Sequence, residues 1–382
     1  MAQDSDNSGS PAPRLFTPGP LTTAPEVRRA MLRDWGSRDA EFIDMTARIR
    51  ARLKALVDGD DDFTVVPIQG SGTFAVEAMI GTLVPPDGKV LVLQNGAYGK
   101  RMVDIAERLG RAFRVMSWAE DEAIDAGRVE AALARDRAVT HVGVVHVETT
   151  SGVVNPIAEI AEAVAAAGRR CLIDAMSAFG AMPLDARGMR FEAVAASANK
   201  CLEGVPGVAF VIADVQAIKG SARNAPSLAL DLHDQWRAFE ATGQWRFTPP
   251  THVVAALDAA LDRLEREGGV AARGARYRRN CARLRRGFVD MGFEPFLDEA
   301  VQSPIILTLL APGDPQFDYA TLYEGLRARG LAIYPGKITQ APSFRVGCIG
   351  ALEDGDFDAL VTAVREVLTT MGVRDLAPAK SA

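Results

Sequence analysis

Cysteine and histidine are scarce in this chain, with four of each among 382 residues. The cysteines, Cys171, Cys201, Cys281 and Cys348, lie far apart and form no CxxC pair, and no Cys/His cluster has zinc spacing. Neither a disulfide framework nor a metal site is expected from that pattern. Scattered free thiols suit a reducing cytoplasm. A positive excess is missing too: 43 Lys and Arg stand against 49 Asp and Glu, a net charge of −6. That balance argues against nucleic acid or an anionic membrane as the main partner, although a local basic pocket remains open. No uninterrupted apolar run is long enough to span a bilayer, so a soluble protein is expected. Residues 1–13, MAQDSDNSGSPAP, lack the basic and apolar regions of a signal peptide and read as a disordered tail.

What is present is the material of a large core. Apolar residues make up 48% and charged residues 24% of a chain about two domains long. A stiff Pro/Gly loop at 15–23 leads to a short helix at 25–32, a polar loop at 34–39 and an amphipathic helix at 40–56. Short strand-like runs then recur at 64–66, 90–93, 113–116, 142–147, 171–173, 194–196 and 208–212. Alanine-rich amphipathic stretches separate several of them, at 74–83, 101–109, 128–134 and 156–167. This alternation predicts an α/β fold around a mostly parallel seven-stranded sheet. A long helical region at 253–291 follows, its Arg-rich half expected to be solvated with one buried stripe. Strands at 305–310, 332–334 and 344–346, with helices at 319–329 and 356–371, predict a smaller α+β layer. The expected division is a large domain at 14–260, with its N-terminal segment near the active site, and a small C-terminal domain at 261–382.

In such sheets ligands sit beyond the carboxyl ends of the strands, so the loops there carry the candidates for chemistry. Ser197-Ala198-Asn199-Lys200-Cys201-Leu202-Glu203-Gly204 follows one strand. A lysine among small residues in that place is either a surface turn lysine or a desolvated nucleophile. Gln69-Gly70-Ser71-Gly72-Thr73 opens a helix and has the hydroxyls, glycines and free N–H groups of a phosphate cradle. It is neither a Walker A loop nor a GxGxxG motif, and a plain turn with an N-cap is the other reading. Asp174 ends a strand 26 residues before Lys200, one crossover away, so both side chains can share one rim. Tyr98, in Asn95-Gly96-Ala97-Tyr98-Gly99, can lay its ring on a flat ligand or simply cover the sheet rim.

Together these pieces resemble the fold-type I pyridoxal-phosphate enzymes, and within them the class V aminotransferases. The likeness runs from about Thr17 to about Met371 through LFTPGPLTT, DWGSRDAEF, QGSGTFAVEAM, NGAYGKR, HVETTSGVVNPI, DAMSAFG, SANKCLEGVPG and FRVGCIG. It implies pyridoxal 5′-phosphate as cofactor, with Lys200 as the Schiff-base lysine, Asp174 on the pyridine nitrogen and Tyr98 on the ring. Ser71, Gly72 and Thr73 are implied to hold the phosphate. Thr149 and Ser197 are implied as further cofactor contacts, and Thr251 as a contact to the phosphate of the neighbouring subunit. Arg345 and Gly19 are implied at the substrate, and Trp35, Ser37 and Arg38 are candidates for a phosphonate pocket. The implied partners are a small amino donor and a 2-oxo acid, met by a cytoplasmic homodimer with active sites at the subunit interface. The expected reaction moves an amino group from 2-aminoethylphosphonate to pyruvate, with alanine or serine and glyoxylate as the alternative pair. A cysteine desulfurase is disfavoured, since Asn199 and Tyr98 stand where those enzymes resemble one another in carrying histidine.

Overall fold

Seven runs of aliphatic and β-branched residues line up in one sheet in the computed structural model, which describes residues 12–379. They are β1 Phe63–Gly70, β2 Lys89–Gln94, β3 Ala112–Ser117, β4 His141–Val145, β5 Arg170–Asp174, β6 Ala193–Ser197 and β7 Gly207–Asp214. Their spatial order is β1-β7-β6-β5-β4-β2-β3. Only β7 runs against its neighbours. The chain therefore has the α/β, mostly parallel architecture that its strand–helix alternation predicts. The expected tail at 1–13 falls almost entirely outside the described residues.

Both faces of this sheet are covered, which is why its central strands read as continuous apolar runs. Alternate residues of β6 show the division: Val194 and Ala196 face one apolar cluster, and Ala193 and Ala195 face the other. The first cluster takes Phe42, Met45, Ile49 and Leu53 from the helix Ala40–Ala55, and Leu257, Leu261 and Leu264 from the helix Thr251–Glu267. The second takes Val76, Met79, Ile80 and Leu83 from the helix Gly72–Leu83, with Met102 and Ile105 from Ala97–Arg108.

A second layer is built on β8 Ile306–Leu310, β9 Tyr334–Pro335 and β10 Ser343–Gly347, in the order β8-β10-β9. The helices Tyr319–Arg327 and Asp354–Met371 supply its apolar cover. The N-terminal segment joins this layer. Arg14–Leu15 pairs in parallel with Leu331–Ala332, and Phe16 is fully buried against Phe357, ring centroids 5.5 Å apart. From there the chain continues directly to Pro18 and Gly19, which lie against Lys200.

Several local expectations shift for identifiable reasons. The run at 142–147 is not one strand: the His146 N–H donates to the Asp174 carbonyl at 2.8 Å, and Val147–Glu148 then turns into a hairpin with Val153–Val154. The region at 253–291 is two helices, Thr251–Glu267 and Gly269–Val289, separated by Gly268 at φ 105°. The Arg-rich second helix is not merely a solvated face, because Arg273 is fully buried. Short helices at Val215–Gly220 and Leu232–Thr242 were not among the expected elements. Among the described residues no helix is long and apolar enough to cross a membrane, and the four cysteines are free and buried.

Candidate active site

Strand order decides what meets at the carboxyl end of the sheet. β6, β5, β4 and β2 are successive neighbours, and Lys200, Asp174, Glu148–Thr149 and Tyr98 come at or just beyond their ends. The turn after β6 is closed on itself. The Glu203 N–H donates to the Lys200 carbonyl and the Gly204 N–H to the Ala198 carbonyl, each at 2.8 Å. Gly204 is required there, since a Cβ would come within 2.9 Å of the Ala198 oxygen. Glu203 has no exposed surface and holds φ at 62°, in the left-handed region. Its carboxylate accepts from Tyr277 Oη at 2.6 Å and Arg276 Nη2 at 2.7 Å. Arg273 Nη1 donates to the Cys201 carbonyl at 2.5 Å. The helix Gly269–Val289 thereby fixes the turn that presents the lysine.

Lys200 Nζ points back at the N-terminal loop and donates to the Pro18 carbonyl at 3.0 Å. Gly19, at φ 124°, passes so close that a Cβ there would lie 2.6 Å from Lys200 Cδ. Burial pushes the Lys200 ammonium down to about 8, with the charges of Arg345 and Lys337 acting the same way and Asp174 opposing. Asp174 accepts the Met176 N–H at 3.0 Å. Burial pushes its carboxyl up to about 6, reinforced by Glu148 and opposed by Met176, Lys200 and Arg101. A lysine whose proton affinity is lowered by burial and a carboxyl whose proton affinity is raised by it, yet still mostly ionised near neutral pH, thus share the rim.

A cavity of about 210 Å³ lies among these groups. Gly19, Ser71, Gly72, Thr73, Tyr98, Asp174, Ser197 and Lys200, all expected from the sequence, line it. Ser71 is the N-cap of the helix Gly72–Leu83, yet its side chain makes no capping hydrogen bond, and no acidic residue occupies the first turn. Its hydroxyl and the helix N–H groups are thus oriented for an external anion.

Arg101, Met176, Ser177 and Asn199 also line the cavity and were not singled out in the sequence. Arg101 lies one helical turn beyond Tyr98, stacks its guanidinium 4.8 Å from that ring, and donates from Nη1 to Thr73 Oγ1 at 3.1 Å. The Tyr98-x-x-Arg101 spacing was the available signal. Glu148 was missed as well. Its fully buried carboxylate accepts the N–H groups of Tyr98 and Gly99 at 3.2 Å, capping the helix that carries Tyr98. Gly96 makes room for it, because a Cβ there would stand 2.5 Å from Glu148 Cδ.

Other expected residues sit outside the cavity wall. Thr149 lies behind it, its Oγ1 2.8 Å from Ser177 Oγ, so Ser177 is the hydroxyl presented to the cavity. Arg345, 6% exposed, donates to the carbonyls of Thr149 at 2.9 Å and Pro335 at 3.0 Å. Its charge bears on both Tyr98 and Lys200. Trp35, Ser37, Arg38 and Thr251 do not line this cavity in the single chain. The Arg33 guanidinium covers the Trp35 ring at 3.9 Å and Arg38 is exposed. Asp34 pairs with His252 at 3.0 Å, so the 34–38 loop and Thr251 share one region of the surface.

Comparison with known proteins gives the family and the fold. Residues 26–346 match the family described as aminotransferase class-V. The chain belongs to the class-V aminotransferase family. Among relatives of this class-V aminotransferase, a Pseudomonas fluorescens protein named 2-aminoethylphosphonate–pyruvate transaminase is 53% identical over 95% of this chain and 99% of its own length. A Burkholderia lata protein named 2-aminoethylphosphonate–pyruvate transaminase 2 is 52% identical over 95% of this chain and 96% of its own. Among solved structures, a pyridoxamine–pyruvate aminotransferase from Mesorhizobium loti superposes with a TM-score of 0.86 at 25% identity, covering 95% of this chain and 94% of that one. An alanine–glyoxylate aminotransferase from Nostoc sp. superposes with a TM-score of 0.88 at 24% identity, covering 95% and 97%. The fold is the fold-type I aminotransferase fold, and the class implies pyridoxal 5′-phosphate as cofactor.

Proposed function

We propose that this class-V aminotransferase moves an amino group from 2-aminoethylphosphonate to pyruvate, giving phosphonoacetaldehyde and L-alanine. The observation that carries the choice of substrates is the 52–53% identity, over 95% of the chain, to relatives named for that reaction. The site supports the chemistry. Pyridoxal phosphate fits the residues present: its phosphate has the uncapped helix start at Ser71, Gly72 and Thr73 with Arg101 beside it. Asp174 is the carboxylate for the pyridine nitrogen, Tyr98 the plate for the ring, and Ser177 and Ser197 are further polar contacts. When bound, the cofactor supplies an aldehyde for the amine and an electron sink for the bond that breaks.

The chain's own residues do the rest. Lys200 has the lowered basicity of an amine that attacks an aldehyde near neutral pH. With its amine free, Lys200 Nζ would take a proton from the carbon bearing the donor's amine and hold it for return. Asp174, as a carboxylate, would keep the pyridine nitrogen protonated through its adjacent negative charge. Arg345, fixed by two backbone carbonyls, presents its remaining N–H donors to the acid group of the substrate. Donor and acceptor use one site in turn, so ping-pong kinetics are expected.

A homodimer completes this reading. Thr251 and the 34–38 loop lie together, tied by the Asp34–His252 pair, and point to service at a partner's site. Leu32, Leu228 and Phe247 are exposed at 80%, 72% and 47%, apolar surface that a second copy would cover. Four free buried thiols suit a cytoplasmic location.

The test is a panel of amino donors with pyruvate as acceptor, read as alanine formed. Turnover with 2-aminoethylphosphonate far above alanine or serine supports the proposal, and equal or reversed preference removes it. Borohydride reduction followed by peptide mapping should place the cofactor on Lys200, and a label on another residue overturns that role. Mixing a Thr251 variant with a Lys200 variant should restore activity in hybrid dimers if Thr251 serves the partner's site.

A further inference from the structure

The donor and the acceptor of the proposed reaction place different acids in one site. Pyruvate carries a single negative charge on two oxygens, one bond from its reacting carbon. 2-Aminoethylphosphonate carries up to two negative charges on three oxygens, two bonds from its reacting carbon. A fixed guanidinium fork matches the first acid well, but the second reaches further out and carries a charge that Arg345 alone leaves unbalanced.

Lys337 is a further cation beside this site. Its Nζ stands 4.3 Å from the centroid of the Tyr98 ring, and its charge, like that of Arg345, bears on Lys200. Among the described residues it forms no ion pair with a carboxylate; an aromatic face holds it where no acid does. Arg101 also approaches Tyr98, but its guanidinium is engaged with Thr73 at the phosphate cradle. Glu148 is the nearby acid, and its carboxylate is turned to the N–H groups of Tyr98, Gly99 and Thr150. Arg345 and Lys337, which stand outside the cavity wall, are therefore the two cations that bear on Lys200 without, among the described residues, a carboxylate partner of their own.

The backbone carries Lys337 differently from Arg345. Arg345 lies within β10 and is anchored by two carbonyls. Lys337 follows the point where the strands close, at the Gly336 N–H to Ser343 carbonyl bond of 2.9 Å. Two residues later Thr339 donates its N–H to Glu120 Oε2 at 2.7 Å, latching the loop to the segment after β3. A half-buried lysine on such a loop can follow an acid of variable reach, as a four-carbon stem allows.

We propose that Lys337 is the second cation of the acid-binding end of the site: it engages the outer oxygens of the donor's phosphonate while Arg345 holds the inner ones. Lys337 thus serves the donor half-reaction and is dispensable for the acceptor half-reaction. The proposal rests on the reading that the donor is an aminophosphonate.

The experiment follows the cofactor's absorbance in single half-reactions of the holoenzyme, for wild type, Lys337→Gln and Lys337→Arg. Each is mixed with 2-aminoethylphosphonate or with L-alanine, the product of the acceptor half. Lys337→Gln should lose about 100-fold in kcat/KM for the phosphonate and stay within about threefold for alanine, as loss of one charge-assisted contact implies. Lys337→Arg should recover most of that loss. Ethylphosphonate, which has the acid and no amine, should weaken as an inhibitor by a similar factor, with propionate unchanged. Equal losses on both donors, or no loss on the phosphonate, overturn the role of Lys337 while the transaminase reading stands. Wild-type enzyme inert to 2-aminoethylphosphonate but active with another donor overturns the substrate reading itself. An unchanged cofactor spectrum in the variants shows that the site remains assembled.

Discussion

Two lysines reach this active site on two kinds of backbone. The turn bearing Lys200 is closed by two backbone hydrogen bonds and by a buried carboxylate, Glu203, that receives Tyr277 and Arg276. The loop bearing Lys337 is held through Thr339 by one half-buried glutamate, Glu120. A residue in the left-handed region costs about 1–2 kcal/mol, and Glu203 occupies it because its carboxylate is needed where the charges converge. Surface contacts of the Glu120 kind contribute about 0–1 kcal/mol. The difference matches the two tasks proposed for them. A lysine that makes and breaks bonds must be held to a fixed geometry, whereas one that receives a substrate's acid gains from latitude.

The most severe way to break the comparison is to remove the fixed lysine itself. Lys200→Ala should lower turnover by about 10⁴-fold or more, the upper range for a positioned acid/base. Bound cofactor should become removable by dialysis, and urea unfolding should show little loss of stability. Next comes the frame around it. Glu203→Ala leaves Arg273 and Arg276 without their central carboxylate and should cost about 3–5 kcal/mol by urea denaturation. Glu203→Gln, which keeps the shape, should cost less. A loss below about 1 kcal/mol for Glu203→Ala would mean that the backbone bonds alone hold the turn.

The pH dependence sharpens the contrast further. In the proposed chemistry only neutral Lys200 would attack the cofactor's aldehyde, and burial pushes its ammonium down to about 8. Capture of pyridoxal phosphate by the apoprotein should therefore rise about tenfold per pH unit below 8 and level off above it. The sign follows from deprotonation: lower pH protonates the amine and slows capture. Stopped-flow absorbance checks this, and a rate still rising steeply through pH 10 would show a lysine with ordinary basicity. The smallest effect belongs to the latch. Glu120→Gln keeps an acceptor for Thr339 but removes the charge, and should change stability by less than about 1 kcal/mol. It should raise the KM for the phosphonate donor a few-fold and leave that for pyruvate unchanged.

Which parts were legible in the sequence follows from the range of the interactions. The Gly70-Ser71-Gly72-Thr73 loop, the strand-end Asp174 and Lys200 after its strand each announce themselves within a few residues. The strand-to-loop positions put them on one rim as soon as the sheet is parallel. The contacts that were missed join distant parts of the chain. Glu203 meets Tyr277 across 74 residues, and Thr339 meets Glu120 across 219. Glu148 sits beside the Thr149 that the resemblance singled out, yet its partner is the helix start at Tyr98, 50 residues away. The 34–38 loop looked like a pocket for the substrate, but in one chain it lies away from the cavity against Arg33 and His252.

The sequence by itself determined the alternation of strands and helices, and with it the candidate phosphate cradle, the strand-end carboxylate and the lysine at the carboxyl end of the sheet. Local periodicity and local turn chemistry suffice for that. Only the tertiary structure decided which lysine is rigid and which is free to adapt. Helix Gly269–Val289 had to pack beneath one, and a hairpin had to swing the other over Tyr98. Burial of Lys200 and Asp174, which moves their proton affinities toward each other, is likewise a property of the packed molecule. No short stretch of chain can desolvate its own charges.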